Sequence, residues 1–289
     1  MGIVLGANRY GKAETRLVRV SRAGPRHELT DLNVSVALAG DLAGTHLTGD
    51  NSAVLSTDAQ KNTVYAFARQ HGIGEIEDFG LLLARHFVAS QPSIQQARVH
   101  IEQYGWHRLG DHSFARDGAE VRTATVTATV TSASTGAWVV SGLADLVLLN
   151  STDSEFRGFV RDPYTTLAET DDRILATSVS ARWRHSTVDG DWAGWYETSR
   201  QLLVDAFTET YSRSLQQTLY AMGQRLLEGR PEVVEVRLAL PNRHHFLVDL
   251  APFGLDNPDE VYVAVDRPYG MVEGTVLRDD APEPGLAWW

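Results

Sequence analysis

The sequence contains no cysteine among its 289 residues. Disulfides, thiolate metal sites, iron–sulfur clusters and cysteine nucleophiles are therefore excluded at once. An intracellular location fits this composition, because secreted proteins are commonly stabilised by disulfide bonds.

Long apolar runs and an excess of basic charge are also missing. No segment approaches the ~20 apolar residues that a membrane helix needs. Lysine plus arginine total 26 against 37 for aspartate plus glutamate, so the formal net charge is -11. This balance disfavours nucleic acid and anionic membranes as partners, and any anionic ligand needs a local positive site.

Several catalytic signatures are absent as well. The sequence has no Gly-x-Ser-x-Gly elbow, no Gly-x-x-x-x-Gly-Lys-Ser/Thr phosphate loop and no Gly-x-Gly-x-x-Gly dinucleotide motif. Its 10 histidines form no His-Glu-x-x-His and no His-x-His pattern. The adjacent His244 and His245 point to opposite faces of an extended chain, so no metal site is predicted.

Period-two alternation with β-branched residues predicts a strand over 121–131, with threonines on one face and apolar residues on the other. Seven more strands are predicted at 15–22, 31–39, 96–104, 137–150, 174–184, 232–240 and 261–266. Helical periodicity predicts helices after residue 57, over 76–90, and as one long helix over 199–229.

Two strands, helices and two strands follow one another in each half of the chain. This order predicts an α+β fold in which each half forms an antiparallel sheet with helices on one face, with residues 1–136 as the first unit and 137–289 as the second. The threonine face would have little to pack against. Closing several copies into a ring would remove the open sheet edges, so a homo-oligomeric barrel is predicted.

Short polar motifs are spread along the whole chain. They are Tyr10-Gly11-Lys12, Thr57-Asp58-x-x-Lys61-Asn62-Thr63, Arg161-Asp162-Pro163-Tyr164-Thr165-Thr166-Leu167, Ser214-Leu215-Gln216-Gln217-Thr218 and Leu240-Pro241-Asn242-Arg243-His244. Together they supply a lysine that could act as a base, a hydroxyl, a histidine, a guanidinium and amides. That set suits a flat, polar, anionic heterocycle with a proton to lose.

Each residue also has an ordinary structural interpretation. Thr57 is predicted to cap a helix, with Gln60 at the third helical position, and a helix start also offers free amides to an anion. Lys12 by position is a solvated charge, and it acts as a base only where burial or a nearby cation favours its neutral form. A lone histidine such as His244 is most often structural or exposed.

The same holds for the candidate ligand-gripping residues. Arg173 by default pairs with its acidic neighbours, although its planar fork suits a urea-like or carboxylate edge. Gln216, placed inside the long predicted helix, is by default solvated, and Phe156 is by default a core residue. Facing each other, Arg173 and Gln216 could hold two edges of a flat ring.

Taken together and in this order, the five motifs resemble those of the urate oxidase family over essentially the whole chain. The resemblance implies two tandem T-fold units per chain and a homotetramer that forms a tunnel-like barrel with active sites at subunit interfaces. It further implies that urate is oxidised by molecular oxygen to 5-hydroxyisourate and hydrogen peroxide without a metal or organic cofactor. The family's peroxisomal tripeptide is missing from Leu286-Ala287-Trp288-Trp289, which implies a cytoplasmic version.

Residue roles follow from the resemblance. Proton relay is assigned to Lys12, Thr57 and His244. Substrate binding is assigned to Thr57, Asp58, Phe156, Leu167, Arg173, Leu215, Gln216 and Asn242, with Thr57 and Asp58 supplied by a neighbouring subunit and Leu215 acting through its backbone amide.

Two alternatives stay open on the sequence alone. One is a purine-binding protein without turnover, against which the presence of the relay residues argues. The other is a zinc-dependent, pterin-type T-fold enzyme, which would need a histidine cluster that the sequence does not contain.

Overall fold

The computed structural model describes residues 2–130 and 135–289. The chain divides into two compact units. Unit 1 comprises Met1–Gly142, Arg184–Gly194 and Pro282–Trp289, and unit 2 comprises Leu143–Trp183 and Trp195–Ala281. The boundary expected between residues 136 and 137 stays a prediction.

Within the described residues, eight strands hydrogen-bond in the order in which they occur along the chain. They are β1 (Tyr10–Ser21), β2 (Glu28–Gly40), β3 (Ile94–Arg108), β4 (Phe114–Val130), β5 (Thr135–Asn150), β6 (Leu175–His185), β7 (Val233–Leu247) and β8 (Tyr262–Leu277). Each strand from β1 to β4 pairs with the next in the antiparallel sense, and β7 pairs with β8 in the same sense. Each of the eight predicted strands is present, and the α+β fold class is confirmed.

The helices lie between the second and third strands of each half. They are α1 (Ala43–Thr48), α2 (Thr57–Gln70), α3 (Ile76–Ser90), α4 (Trp192–Glu209) and α5 (Leu215–Gly229), and a separate 3-10 turn at Ala251–Phe253 lies between β7 and β8. α2 and α3 match the predicted segments, whereas the six-residue α1 was not predicted.

The prediction of one long helix over 199–229 is wrong, because α4 ends at Glu209 and α5 begins at Leu215. The Ser214 hydroxyl accepts a hydrogen bond from the Gln217 amide at 3.2 Å, and the Gln217 side chain accepts one from the Arg213 amide at 2.8 Å. These side chains satisfy the amides that a continuous helix would have bonded, so a new helix starts here.

In unit 1, α3 packs against β3 and β4 through an apolar stripe at helical spacing. Ile76, Phe79, Leu83 and Phe87 are at most 1% exposed, which is the pattern that one buried helix face produces. In unit 2, α5 packs in the same way against β7 and β8.

The expectation that the threonine face of β4 is open is wrong for the described residues. The four threonines are at most 8% exposed: Thr123, Thr125, Thr127 and Thr129. Neighbouring β3 groups bond two of these hydroxyls: His100 Nδ1 lies 2.9 Å from Thr125 Oγ1, and Thr129 donates to the Gln95 carbonyl at 3.0 Å. Thr131, the last residue of the predicted strand, lies outside the described residues.

A buried charged group sits between α3 and the sheet of unit 1. The Glu77 carboxylate is 0% exposed and accepts hydrogen bonds from Arg122 at 2.7 Å and from Ser141 at 2.6 Å. Burial raises the pKa of Glu77, while Arg122 and Ser141 act in the opposite direction. The same Arg122 also pairs with Glu75, whose side chain is 36% exposed at the helix start.

We predict unequal effects from removing the two carboxylate charges that share Arg122. Glu77→Gln removes the fully buried partner of Arg122, leaves only the surface carboxylate of Glu75 to balance its charge, and should lower the free energy of unfolding by about 3 kcal/mol. Glu75→Gln, the matched control at the surface, should cost less than about 1 kcal/mol. Urea unfolding of both variants measures the difference, and equal losses would contradict this account of the buried pair.

Candidate functional site

The ten expected site residues fall into two groups. Seven line a single cavity of about 750 Å³ in unit 2: Phe156, Leu167, Arg173, Leu215, Gln216, Asn242 and His244. The other three belong to unit 1: Lys12, Thr57 and Asp58.

Three stretches of unit 2 form the cavity: the loop between β5 and β6, the start of α5, and the paired strands β7 and β8. Aliphatic side chains supply much of its wall, and they include Ile174, Leu247, Met271 and Val272. An apolar cavity with a few convergent polar groups is the usual form of a small-molecule site.

Arg173 supplies the positive charge of this cavity. Within the part of the chain that the structure describes, its guanidinium has no carboxylate partner; its Nε donates to Ser154 Oγ at 3.3 Å. Burial lowers the pKa of Arg173 below its ordinary value, yet an arginine stays charged at neutral pH. A partly buried and unpaired cation that faces a cavity favours an anionic ligand there.

A chain of buried hydroxyls connects the Arg173 loop with the start of α5. Ser154 is 0% exposed and forms a β-bridge with Ser212, whose own hydroxyl receives a hydrogen bond from Thr218 at 2.8 Å. Ser212 Oγ donates in turn to the Ser214 carbonyl at 3.1 Å. These residues fix the guanidinium and the helix start relative to each other.

Phe156 lies beside the guanidinium, with Arg173 Cζ 5.2 Å from its ring centroid. Its backbone pairs with Thr170 through hydrogen bonds of 3.0 and 3.2 Å. Phe159 stacks on the Phe156 ring at 4.9 Å and 11°, and Arg161 lies over Phe159 at 5.2 Å. This layer of two stacked rings between two guanidiniums orients Phe156, and the sequence motifs did not identify Phe159.

The first turn of α5 adds backbone donors to the cavity. Leu215 and Gln216 are the first two helical residues after Ser214, and among the described residues their amides have no acceptor. Leu215 is 3% exposed, so its backbone, not its side chain, is what it can offer a ligand. Free amides and the helix dipole both favour negative charge at this point.

Asn242 and His244 enter the cavity where the pairing of β7 with β8 is interrupted. Asn242 lies opposite Gly270, but His244 lies opposite Val265, so the regular alternation of faces is broken between them. His245 therefore also lines the cavity, contrary to the simple alternation expected from the sequence. Burial, followed by the charges of Arg173 and His245, lowers the pKa of His244.

The predicted cap at Thr57 is wrong by one residue. Ser56 caps α2, and its hydroxyl accepts from the Ala59 amide at 3.1 Å. Thr57 is the first helical residue, and its hydroxyl has no hydrogen-bond partner within the described residues. The hydroxyl is therefore available for chemistry instead of being used by the helix.

Asp58 has its carboxylate engaged within α2. It accepts from Lys61 at 2.7 Å and from Asn62 at 2.9 Å, which explains the spacing of this motif. The hydrogen bond and charge of Lys61 lower the pKa of Asp58 most, with smaller contributions from Asn62 and Lys12. What Asp58 can offer a ligand is its backbone amide, which is free at the second helical position.

Lys12 lies on β1 beside a break in the pairing of β1 with β2, which shifts register between Lys12 and Thr15. A Cβ atom on Gly11 would lie 1.8 Å from the Val36 carbonyl oxygen, so only glycine allows this close approach. The Tyr10 hydroxyl donates to the Leu55 carbonyl at 2.9 Å, just before α2. The motif thus holds Lys12 close enough to the start of α2 for its charge to act on Asp58.

The described residues contain neither a group of metal-ligating side chains nor a membrane-spanning helix. Across residues 2–130 and 135–289, no three histidine, aspartate or glutamate side chains converge to hold a metal ion. In the same ranges, no helix has the length and apolar character required to traverse a membrane.

The chain matches a protein family described as Uricase over residues 8–127 and 139–273. It is 50% identical over 288 residues to the uricase of Arthrobacter globiformis, across 99% of this chain and 94% of that protein. It is 39% identical over 281 residues to the uricase of Dictyostelium discoideum, across 94% and 96%. The crystal structure of the A. globiformis uricase superposes with a TM-score of 0.95 over 100% of this chain and 99% of that chain, at 49% identity.

We predict that the pKa of His244 lies below the ordinary histidine value of about 6.5. This pKa should rise in Arg173→Gln, because the charge of Arg173 is one cause of the lowering. NMR titration of isotope-labelled histidine measures the pKa in the wild type and in the variant. Gln216→Ala, a neutral change in the same cavity, is the control and should leave this pKa unchanged. The contribution of His244 to stability is present above about pH 6.5 and is lost as the pH falls through the folded-state pKa. An unshifted His244 would contradict the burial of this ring.

Proposed function

The chain belongs to the uricase family, and we propose that it oxidises urate with molecular oxygen to 5-hydroxyisourate and hydrogen peroxide, without a metal or organic cofactor. The observation that carries the proposal is the unpaired, partly buried Arg173 in a cavity with Gln216, Asn242 and His244. An electron-rich purine anion fits that cavity and can itself supply the electrons that a cofactor would otherwise provide.

In this proposal, the residues around the cavity hold the urate ring. Arg173 and Gln216 grip two edges of the purine, and Phe156 stacks on its face. The Leu215 amide donates to the anion, and Leu167 covers the ring from the loop side. Asn242 lies beside the position above the ring where oxygen and later water bind. Fixed donors of this kind stabilise a developing dianion better than water does.

The remaining three positions move protons. Urate, oxygen and water give 5-hydroxyisourate and hydrogen peroxide, so urate loses two electrons to oxygen and protons must leave the ring and reach peroxide. Lys12 removes a proton through Thr57, whose hydroxyl is free, and His244 completes the relay as a neutral imidazole. Asp58 contributes its backbone amide to the substrate.

The active site is built between copies of the chain in this proposal. The cavity of unit 2 contains binding groups but no lysine, whereas Lys12, Thr57 and Asp58 belong to unit 1. A neighbouring subunit supplies Thr57 and Asp58, and a homotetramer of tandem T-fold units, divided at residues 136 and 137, forms the tunnel-like barrel. We place this enzyme in the cytoplasm.

The first test is oxygen uptake by chelator-treated protein when urate is added, with peroxide measured in the same vessel. We predict uptake and peroxide in equal amounts, with metal analysis showing no stoichiometric ion. Binding of urate without oxygen uptake would leave a purine-binding protein. Uptake that is lost on chelation and restored by zinc would point to a metal-dependent T-fold enzyme instead.

Substitutions at Lys12 and Arg173 should affect different steps. Lys12→Met should lower kcat by about 100-fold or more, because general base catalysis contributes that much, while urate binding stays measurable. Lys12→Arg, which keeps the charge but cannot give up its proton, is the matched control and should be equally slow. Recovery of the rate in Lys12→Arg would make the role of Lys12 electrostatic.

Arg173→Ala should instead act mainly on binding. Losing a charge-assisted contact to an anion should raise the dissociation constant for urate by roughly 10- to 100-fold. Anaerobic titration with urate measures this constant without turnover. An unchanged dissociation constant would remove Arg173 from the binding site.

Mixed oligomers test whether two copies share one site. Lys12→Met and Arg173→Ala chains, co-expressed, should regain activity, because some sites then combine an intact Lys12 group with an intact cavity. The control mixture of Lys12→Met with Thr57→Ala should regain none, since both changes fall in the unit 1 group. Recovery in neither mixture, with oligomers confirmed by light scattering, would place both groups of each site in one chain.

A further inference from the structure

The sulfur atoms of this chain are few and unequally placed. There is no cysteine, and the sequence contains 3 methionines. Met1 lies outside the described residues, and Met222 is 0% exposed in the core under α5. Met271 is 51% exposed and lines the same cavity as Arg173 and His244.

Met271 reaches this position because β8 pairs with the end of β7. It lies opposite Pro241, and its neighbour Gly270 lies opposite Asn242. Met271 and the adjacent Val272 form part of the apolar wall of the cavity. A flexible, polarisable thioether therefore lies where a ligand binds and where solvent also reaches.

We propose that Met271 is a modification site at which the enzyme is oxidised by its own product. The inference rests on the proposed function, because that reaction supplies the hydrogen peroxide. The thioether sulfur attacks one peroxide oxygen and the O–O bond breaks. The sulfur gains one oxygen and is oxidised by two electrons to the sulfoxide, while the other oxygen leaves as water.

Three features of the chain favour this site. Without cysteine, no thiolate competes for peroxide. Susceptibility follows exposure, which separates Met271 from Met222. The sulfoxide is polar and chiral, so the apolar wall gains an oxygen that attracts water and competes with the urate ring for hydrogen bonds. Oxidation therefore weakens urate binding and slows turnover.

The experiment compares three incubations of the full-length enzyme: urate and oxygen, urate and oxygen with catalase, and added hydrogen peroxide without urate. Peptide mass spectrometry then measures the sulfoxide fraction at Met271 and, as the internal reference, at Met222. We expect a several-fold greater fraction at Met271 than at Met222 in the first and third incubations, with a parallel loss of kcat/KM. Protection by catalase identifies peroxide from bulk solution, and its failure to protect identifies peroxide that reacts before it leaves the cavity.

Met271→Leu provides the functional control, because leucine preserves volume and apolar character without an oxidisable sulfur. Measured against its own starting activity, Met271→Leu should lose little during prolonged turnover, whereas the wild type should lose activity and regain it after treatment with methionine sulfoxide reductase. Equal oxidation of Met271 and Met222 by added peroxide would overturn the proposal, as would inactivation of Met271→Leu at the wild-type rate. Oxidation by added peroxide but not by urate and oxygen would overturn the self-oxidation, and the peroxide measured in that incubation would show whether the proposed function had failed as well.

Discussion

The start of α5 is the constraint on which the cavity of unit 2 depends. Ser214 is the N-cap of α5. The first two amides of this helix, at Leu215 and Gln216, have no acceptor within the described residues. Buried hydroxyls then tie this helix end to the loop that carries Arg173. Amide dipoles and a guanidinium are thereby fixed around one cavity before any ligand enters, so little reorganisation is needed when an anion binds.

In the proposed function, the groups that hold the ring and two of the three proton-relay groups come from different parts of the chain. The cavity in unit 2 is rich in groups that hold an anion, whereas unit 1 presents a lysine, an unbonded threonine hydroxyl and a second helix start. A chain with a net charge of -11 repels an anion at long range, so the attraction has to be local. Arg173 provides such a local charge, and because its guanidinium is partly buried, salt screens its attraction for an anion less than that of an exposed charge.

The strands were predictable because alternation of polar and apolar residues is a local property of the sequence. The ends of the strands were not predictable in this way. β8 was expected over 261–266 but runs over Tyr262–Leu277, so Gly270 and Met271 were not recognised as residues that line the cavity. The break before Leu215 was missed because the apolar spacing of α4 and α5 continues nearly in phase across it. Seven expected residues do converge on one cavity, while the supporting Ser154, Ser212 and Phe159 depend on long-range contacts that no short motif records.

Basic residues in this chain are almost all arginine: of 26 lysines and arginines, only Lys12 and Lys61 are lysine. Lys12 lies on β1 and acts on Asp58 through its charge, and Lys61 lies in α2 and bonds Asp58 directly. Amine-directed chemistry, whether polymer attachment, cross-linking or immobilisation, would therefore find its side-chain targets only at these two lysines near Asp58. Attachment through exposed carboxylates, among the 37 aspartates and glutamates, would leave both lysines unmodified.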